Sequence, residues 1–271
     1  MSLDGFLPYD RNALVAFDPR VADRFYRWTN RFARTLDVEV RGLERLPAGR
    51  ALLVANHAFG WDIVFAMGAI WARTGRPVFV LAEHLWWSLP FVRRLASRVG
   101  AVDGTPDNVD HLLERDQLVL VLPGGMREAL KPRELRYHLL WGKRYGFVRA
   151  AIRSQAPIVP MASIGSDELF DFVGDAYRRG EHWLGRPGIP IPLPARVLPI
   201  PHLRRLTYVV GEPIPPRAPR EDAENTDVLT RVRHEVAGAL HELIETELAA
   251  RSGVLVDGMG SSSGPTPSRR G

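Results

Sequence analysis

The chain has 271 residues, 45% of them hydrophobic and 25% charged, with a net charge of +5 and a pI near 9.9. That composition supports a buried core and excludes collagen-like, fully disordered and mini-protein classes. The absence of cysteine excludes disulfides, zinc–thiolate sites, iron–sulfur clusters and a cysteine nucleophile. The positive charge is nearly all arginine, Lys131 and Lys143 being the only lysines among 36 basic residues, and suits an anionic partner: nucleic acid, anionic lipid or an acidic substrate.

Met1 to Pro19 carries Asp4, Asp10 and Asp18 and has no apolar core, so it does not read as a signal peptide. Residues 19–36 read as an amphipathic helix, with Val21, Phe25, Trp28, Phe32 and Leu36 at helical spacing. Arg20, Arg24, Arg27, Arg31 and Arg34 follow the neighbouring stripe. Arginines beside large apolar residues suit a helix lying in a lipid headgroup layer, and equally a helix packed on its own core with a solvated basic edge. Residues 1–37 are therefore set apart as an N-terminal amphipathic, membrane-interface segment.

From residue 38, short β-rich runs alternate with helical stretches. Val38–Leu43, Ala51–Ala55, Val78–Ala82, Leu118–Leu122, Ile158–Ala162 and Leu206–Val210 read as strands, and residues 62–73, 86–98, 107–115, 141–155 and 226–251 as helices. This alternation predicts a layered α/β domain over residues 38–251, a mostly buried mixed sheet flanked by helices. Six prolines between Pro187 and Pro201 mark a segment that is neither helix nor central strand. Residues 252–271, rich in Gly, Ser and Pro, read as a disordered tail. No stretch approaches the roughly 20 apolar residues of a spanning helix. Trp71, Trp141 and Trp183 read as packing residues.

Two blocks carry chemistry-bearing residues. In Asn56-His57-Ala58-Phe59-Gly60-Trp61-Asp62, His57 sits on a strand-to-helix turn, where catalytic groups are commonly displayed. Five steps along an ideal helix would separate His57 and Asp62 by about 140°, but on a turn the two can meet. Asp62 can then fix the tautomer of His57 and leave its other ring nitrogen free as a base. Read alone, Asp62 is equally a helix cap and His57 a turn histidine. In Leu122-Pro123-Gly124-Gly125-Met126-Arg127-Glu128, an apolar strand enters a turn whose backbone N–H groups, at Gly124 and Gly125, can face an oxyanion or phosphate, with Arg127 adding a fixed charge. No P-loop or Gly-x-Gly-x-x-Gly pattern occurs. The one Gly-x-Ser-x-Gly match, Gly260 to Gly264, lies in the tail, and no close histidine cluster suggests a metal site.

Taken with Ile158-Val159-Pro160, these blocks appear in the order of the glycerolipid and lysophospholipid acyltransferase superfamily, which the chain resembles over residues 38–215. The resemblance implies an acyltransferase-like fold and an enzyme that moves a fatty acyl group from acyl-CoA to a hydroxyl of a glycerolipid or lysophospholipid. It implies His57 as general base with Asp62 as its partner, and Gly124, Gly125, Arg127 and Glu128 as substrate-binding residues. It implies acyl-CoA as co-substrate with no cofactor or metal, a membrane lipid acceptor, no nucleic-acid partner, and peripheral attachment to the cytoplasmic, inner face of a membrane. A non-catalytic peripheral lipid-binding protein is the alternative. The Pro-Gly-Gly form resembles the diacylglycerol acyltransferase-like branch. Gly104 stands where phosphate-acceptor members carry an arginine.

Overall fold

The computed structural model describes residues 16–59, 63–82, 90–170, 172–184, 190–193 and 205–253. The chain opens with helix α1 (Pro19–Ala33). Asp18 caps it by accepting from the N–H groups of Arg20 and Val21, and Pro19 supplies a pre-set first position. Then come β1 (Val38–Arg41), β2 (Ala51–Ala55), α2 (Val64–Thr74), β3 (Val78–Ala82), α3 (Pro90–Arg98), β4 (Ala101–Asp103), α4 (Pro106–Glu114), β5 (Leu118–Val121), α5 (Gly125–Ala129), α6 (Gly146–Ser154), β6 (Ile158–Ile164), α7 (Ala176–Leu184), β7 (Leu206–Val210) and α8 (Thr226–Ser252).

The strands form one sheet in the order β1-β7-β6-β2-β5-β3-β4. β6, β2, β5, β3 and β4 run parallel; β7 is antiparallel to β6, and β1 is parallel to β7. The mixed sheet is as expected. Alternate side chains feed two cores. Ala51, Leu53 and Ala55 of β2 face Ala22 and Tyr26 of α1 and Phe65, Met67 and Ile70 of α2. Leu52 and Val54 face α4, α6 and α8. Burial on both faces explains why β2, β6 and β7 read as continuous apolar runs rather than alternating ones.

Several expectations are corrected. The helix expected over 141–155 begins only at Gly146; Gly142, with φ of 53°, turns the chain before it. β4, α5 and α7 were not expected; β4 and α5 are only three and five residues long, and α7 is nine. On α1 the buried face is Ala22, Tyr26, Thr29 and Ala33, one step round from the expected stripe, and Trp28 and Phe32 are 55% and 40% exposed. The reason is close packing: Asn30 Nδ2 donates to Gly68 O of α2 at 2.9 Å, and a Cβ on Gly68 would lie 2.6 Å from Asn30 Oδ1. Ala22, Thr29 and Ala33 suit that close approach, and the one large residue on the face, Tyr26, donates its hydroxyl to Val99 O at 2.6 Å. Trp71 and Trp141 pack as expected, but Trp183 is 68% exposed.

Among the described residues, no helix is long and apolar enough to cross a membrane. Residues 254–271, most of the expected tail, lie outside the described residues. So do residues 185–189 and 194–204, which hold most of the proline-rich segment; residues 190–193 between them form neither helix nor strand.

Candidate active site

The connection from β2 leads towards β3 on one side, whereas that from β5 crosses back over β2 to β6. A crevice opens at the carboxyl ends of strands where such connections diverge. Asn56 and His57 leave β2 at this place, flanked by the carboxyl end of β5, with its Pro-Gly-Gly turn, and by the carboxyl end of β6.

His57 is half-buried, and its own peptide groups are gripped from both sides. Its N–H donates to Glu128 Oε1 at 2.7 Å, and its carbonyl accepts from Lys131 Nζ at 2.8 Å. Glu128 is fully buried, and its second oxygen accepts the Leu140 N–H at 2.7 Å. Burial pushes the Glu128 carboxyl up from its ordinary range, opposed by the Lys131 cation and the His57 and Leu140 amides. Lys131 also donates to Asp167 Oδ1 at 2.8 Å in an ion pair hidden from solvent, and Asp167 Oδ2 accepts the Tyr137 N–H. Tyr137 OH donates to Glu168 Oε1 and accepts from the Gly165 N–H, and burial, with Glu168 beside it, raises its phenol. Asn56, also fully buried, ties β2 to Ser163 of β6 just before His57.

The two blocks that the sequence singled out thus meet in space. Gly124 is buried and packs against Glu128: a Cβ there would lie 2.3 Å from the Glu128 Cβ. Gly125 takes a φ of 52°, and its N–H donates to Leu122 O at 2.9 Å. That amide is spent in the turn and does not face an oxyanion. Arg127 is exposed on α5. Glu128, expected from the resemblance among the substrate-binding residues, has its two oxygens bonded to the His57 and Leu140 amides. Asp62 lies outside the described residues. Lys131 and Asp167 were missed; the only signal was one of two lysines in a chain whose basic residues are nearly all arginine. Among the described residues, no group of three or more His, Asp or Glu side chains is arranged to hold a metal ion.

Comparison with known proteins follows this geometry. Residues 37–164, which carry β1 to β6, match the family described as Acyltransferase. Over these residues the chain is similar to the acyltransferase family. A mouse (Mus musculus) protein named "DGAT1/2-independent enzyme synthesizing storage lipids" is 32% identical to this chain over 161 residues, covering 56% of this chain and 49% of that protein. An uncharacterised protein of Mycobacterium tuberculosis is 33% identical over 221 residues, or 78% of this chain and 58% of its own length. The chain therefore spans about half the length of the curated relatives it matches. The crystal structure of the 1-acyl-sn-glycerophosphate (LPA) acyltransferase PlsC from Thermotoga maritima aligns with a TM-score of 0.52 at 16% identity, covering 86% of this chain and 84% of that one. At that identity the likeness is one of fold. In the region that matches this family, His57 at the carboxyl end of β2 marks the candidate active site.

Proposed function

We propose that the protein transfers a fatty acyl group from acyl-CoA to a hydroxyl of a glycerolipid or lysophospholipid. The observation that carries this reading is His57 at the carboxyl end of β2, its backbone clamped by the Pro-Gly-Gly block through Glu128. His57 takes the acceptor proton as the oxygen attacks the thioester carbonyl. Asp62 orients the ring and stabilises the imidazolium. The tetrahedral intermediate collapses with cleavage of the C–S bond, and the proton passes from the imidazolium to the coenzyme A thiolate. The products are an ester and free coenzyme A, with no covalent enzyme intermediate and no cofactor.

The acceptor lies in a bilayer, and we place the protein on the cytoplasmic face as a peripheral enzyme. Support comes from α1, where Trp28 and Phe32 stack in the open, 6.0 Å between ring centroids, beside exposed Arg24, Arg27, Arg31 and Arg34. Phe32 also packs on Phe65 in the first turn of α2, the helix that follows the His57 loop.

The test is an acyl-CoA consumption assay over lysophospholipids, monoacylglycerols, diacylglycerols and long-chain alcohols, with His57→Ala as control. General-base catalysis contributes roughly 10²- to 10⁴-fold, so a folded His57→Ala protein loses at least 10²-fold of the transfer rate. Activity retained in that variant removes the mechanism. Vesicle binding without transfer to any acceptor establishes the non-catalytic alternative instead.

A further inference from the structure

Lys131 is an unusual choice for this chain. Arginine fills almost every other basic position, Lys143 being the one other lysine, and Lys143 is exposed whereas Lys131 is buried. Its ammonium touches two acceptors, His57 O and Asp167 Oδ1, both at 2.8 Å. A compact ammonium directs its donors separately, whereas a guanidinium presents a wide planar fork that this enclosed spot does not match. Glu128 holds the other side of the same residue by its N–H at 2.7 Å. The histidine is thus fixed through its main chain, which sets where the Cα–Cβ bond points.

We propose that Lys131 is a positioning residue for His57, holding its carbonyl so that the ring faces the acceptor, and that the buried cation keeps the ring in its proton-accepting form. This rests on the reading of His57 as the general base. Among the described residues, the charged groups beside the turn include Glu128 from α5, Lys131 just after it, and Asp167 beyond β6, and Arg136 donates to Asp167 O at 3.0 Å. A cation one hydrogen bond from the His57 peptide opposes protonation of the imidazole, and its removal favours the imidazolium.

The experiment uses the full chain and three variants: Lys131→Met, Lys131→Arg, and the neutral pair Lys131→Met with Asp167→Asn. Each is checked for folding by circular dichroism and thermal melting. Two readouts follow: the pH profile of kcat/KM with separate kcat and KM, and a ¹⁵N-histidine NMR titration with the His57 signal assigned from its loss in His57→Ala. Misplacing a reacting group by about 1 Å costs on the order of 10²-fold. We expect kcat to fall by about 10- to 100-fold in all three variants, with KM nearly unchanged. The His57 titration and the acid limb of the profile move to higher pH in Lys131→Met, which loses the cation alone, and move less in the neutral pair, which loses the Asp167 carboxylate with it. They stay in place in Lys131→Arg, which keeps the charge and loses the fit. A folded Lys131→Met protein with wild-type kcat and an unshifted His57 titration overturns the proposal. If the single methionine variant does not fold, the neutral pair decides by its kcat, a wild-type value overturning the proposal. If His57→Ala stays active, the general-base reading falls on its own. The NMR titration then still decides the cation's effect, an unmoved His57 signal in Lys131→Met overturning it and an upward shift sustaining it.

Discussion

Asn56 and Ser163 exchange two hydrogen bonds across the end of the sheet. Asn56 Nδ2 donates to Ser163 O at 2.9 Å, and Ser163 N–H donates to Asn56 Oδ1 at 2.8 Å. A side-chain amide here continues the β2–β6 ladder one step beyond the last strand residue, so the chain reaches His57 from a fixed anchor. Asn56→Leu keeps much of the volume but leaves the buried Ser163 N–H and C=O without this partner. Ser163 O keeps the Ser166 Oγ donor; at about 0.5–1.5 kcal/mol per lost bond, urea unfolding should show a loss of roughly 1–3 kcal/mol. Stability within 0.5 kcal/mol of wild type, a margin typical of a substitution that disturbs nothing, would show that the exchange carries no weight.

Gly124→Ala tests the contact between the Pro-Gly-Gly turn and the carboxylate that holds His57. The added methyl would sit 2.1 Å from Glu128 Oε2 and 2.3 Å from its Cβ, and Glu128 is fully enclosed. Glu128 must shift, and the His57 and Leu140 amides lose their acceptor. Overpacking of this kind costs about 1–3 kcal/mol, and acyl transfer should fall further than stability does because the His57 backbone moves. A variant with unchanged transfer would detach the turn from the catalytic geometry.

The layered α/β class and six of the seven strands were legible because apolar β-branched runs buried on both faces leave a strong signal. β4 was not, since three residues at a sheet edge carry almost no pattern. His57 stood out because a histidine between a strand and a helix is chemically conspicuous. The grip on it was invisible: Glu128 lies 71 residues from His57 and Lys131 lies 74, and only the fold brings them together. The face of α1 misled for a different reason. Hydrophobic spacing marks the large residues, but close packing on Gly68 favours small ones, so Ala22, Thr29 and Ala33 are buried beside Tyr26, whose hydroxyl bonds Val99 O, and Trp28 and Phe32 turn outward.

Those outward aromatics predict how the protein meets lipid. Trp28→Glu with Phe32→Glu replaces the exposed stack by two negative charges and leaves the buried face of α1 untouched. Burying an aromatic side chain contributes about 1.5–3 kcal/mol, so the double variant should lose at least 10-fold in affinity for vesicles containing anionic lipid, read by co-sedimentation. Undiminished binding would move the docking face elsewhere, and α7, with exposed Trp183 and Leu184, would be the next to substitute.

Asp18 ties the start of α1 to α3 and gives acid unfolding a defined contribution. Its Oδ2 accepts from Arg98 Nη2 at 2.6 Å while Oδ1 caps the helix, and the Arg98 hydrogen bond leads the causes that hold its carboxyl below the usual aspartate value. A carboxyl lowered on folding contributes stability above its unfolded value of 3.8, and that contribution disappears as pH falls through the lower folded value. Asn is as good a helix cap as Asp, so Asp18→Asn removes the charge and keeps the cap. Chemical unfolding of both proteins across pH should show the wild type more stable at neutral pH. The gap should narrow below 3.8 and close once the folded carboxyl is protonated. A gap that is constant with pH would mean that the ion pair with Arg98 contributes nothing and that the variant acts through packing alone.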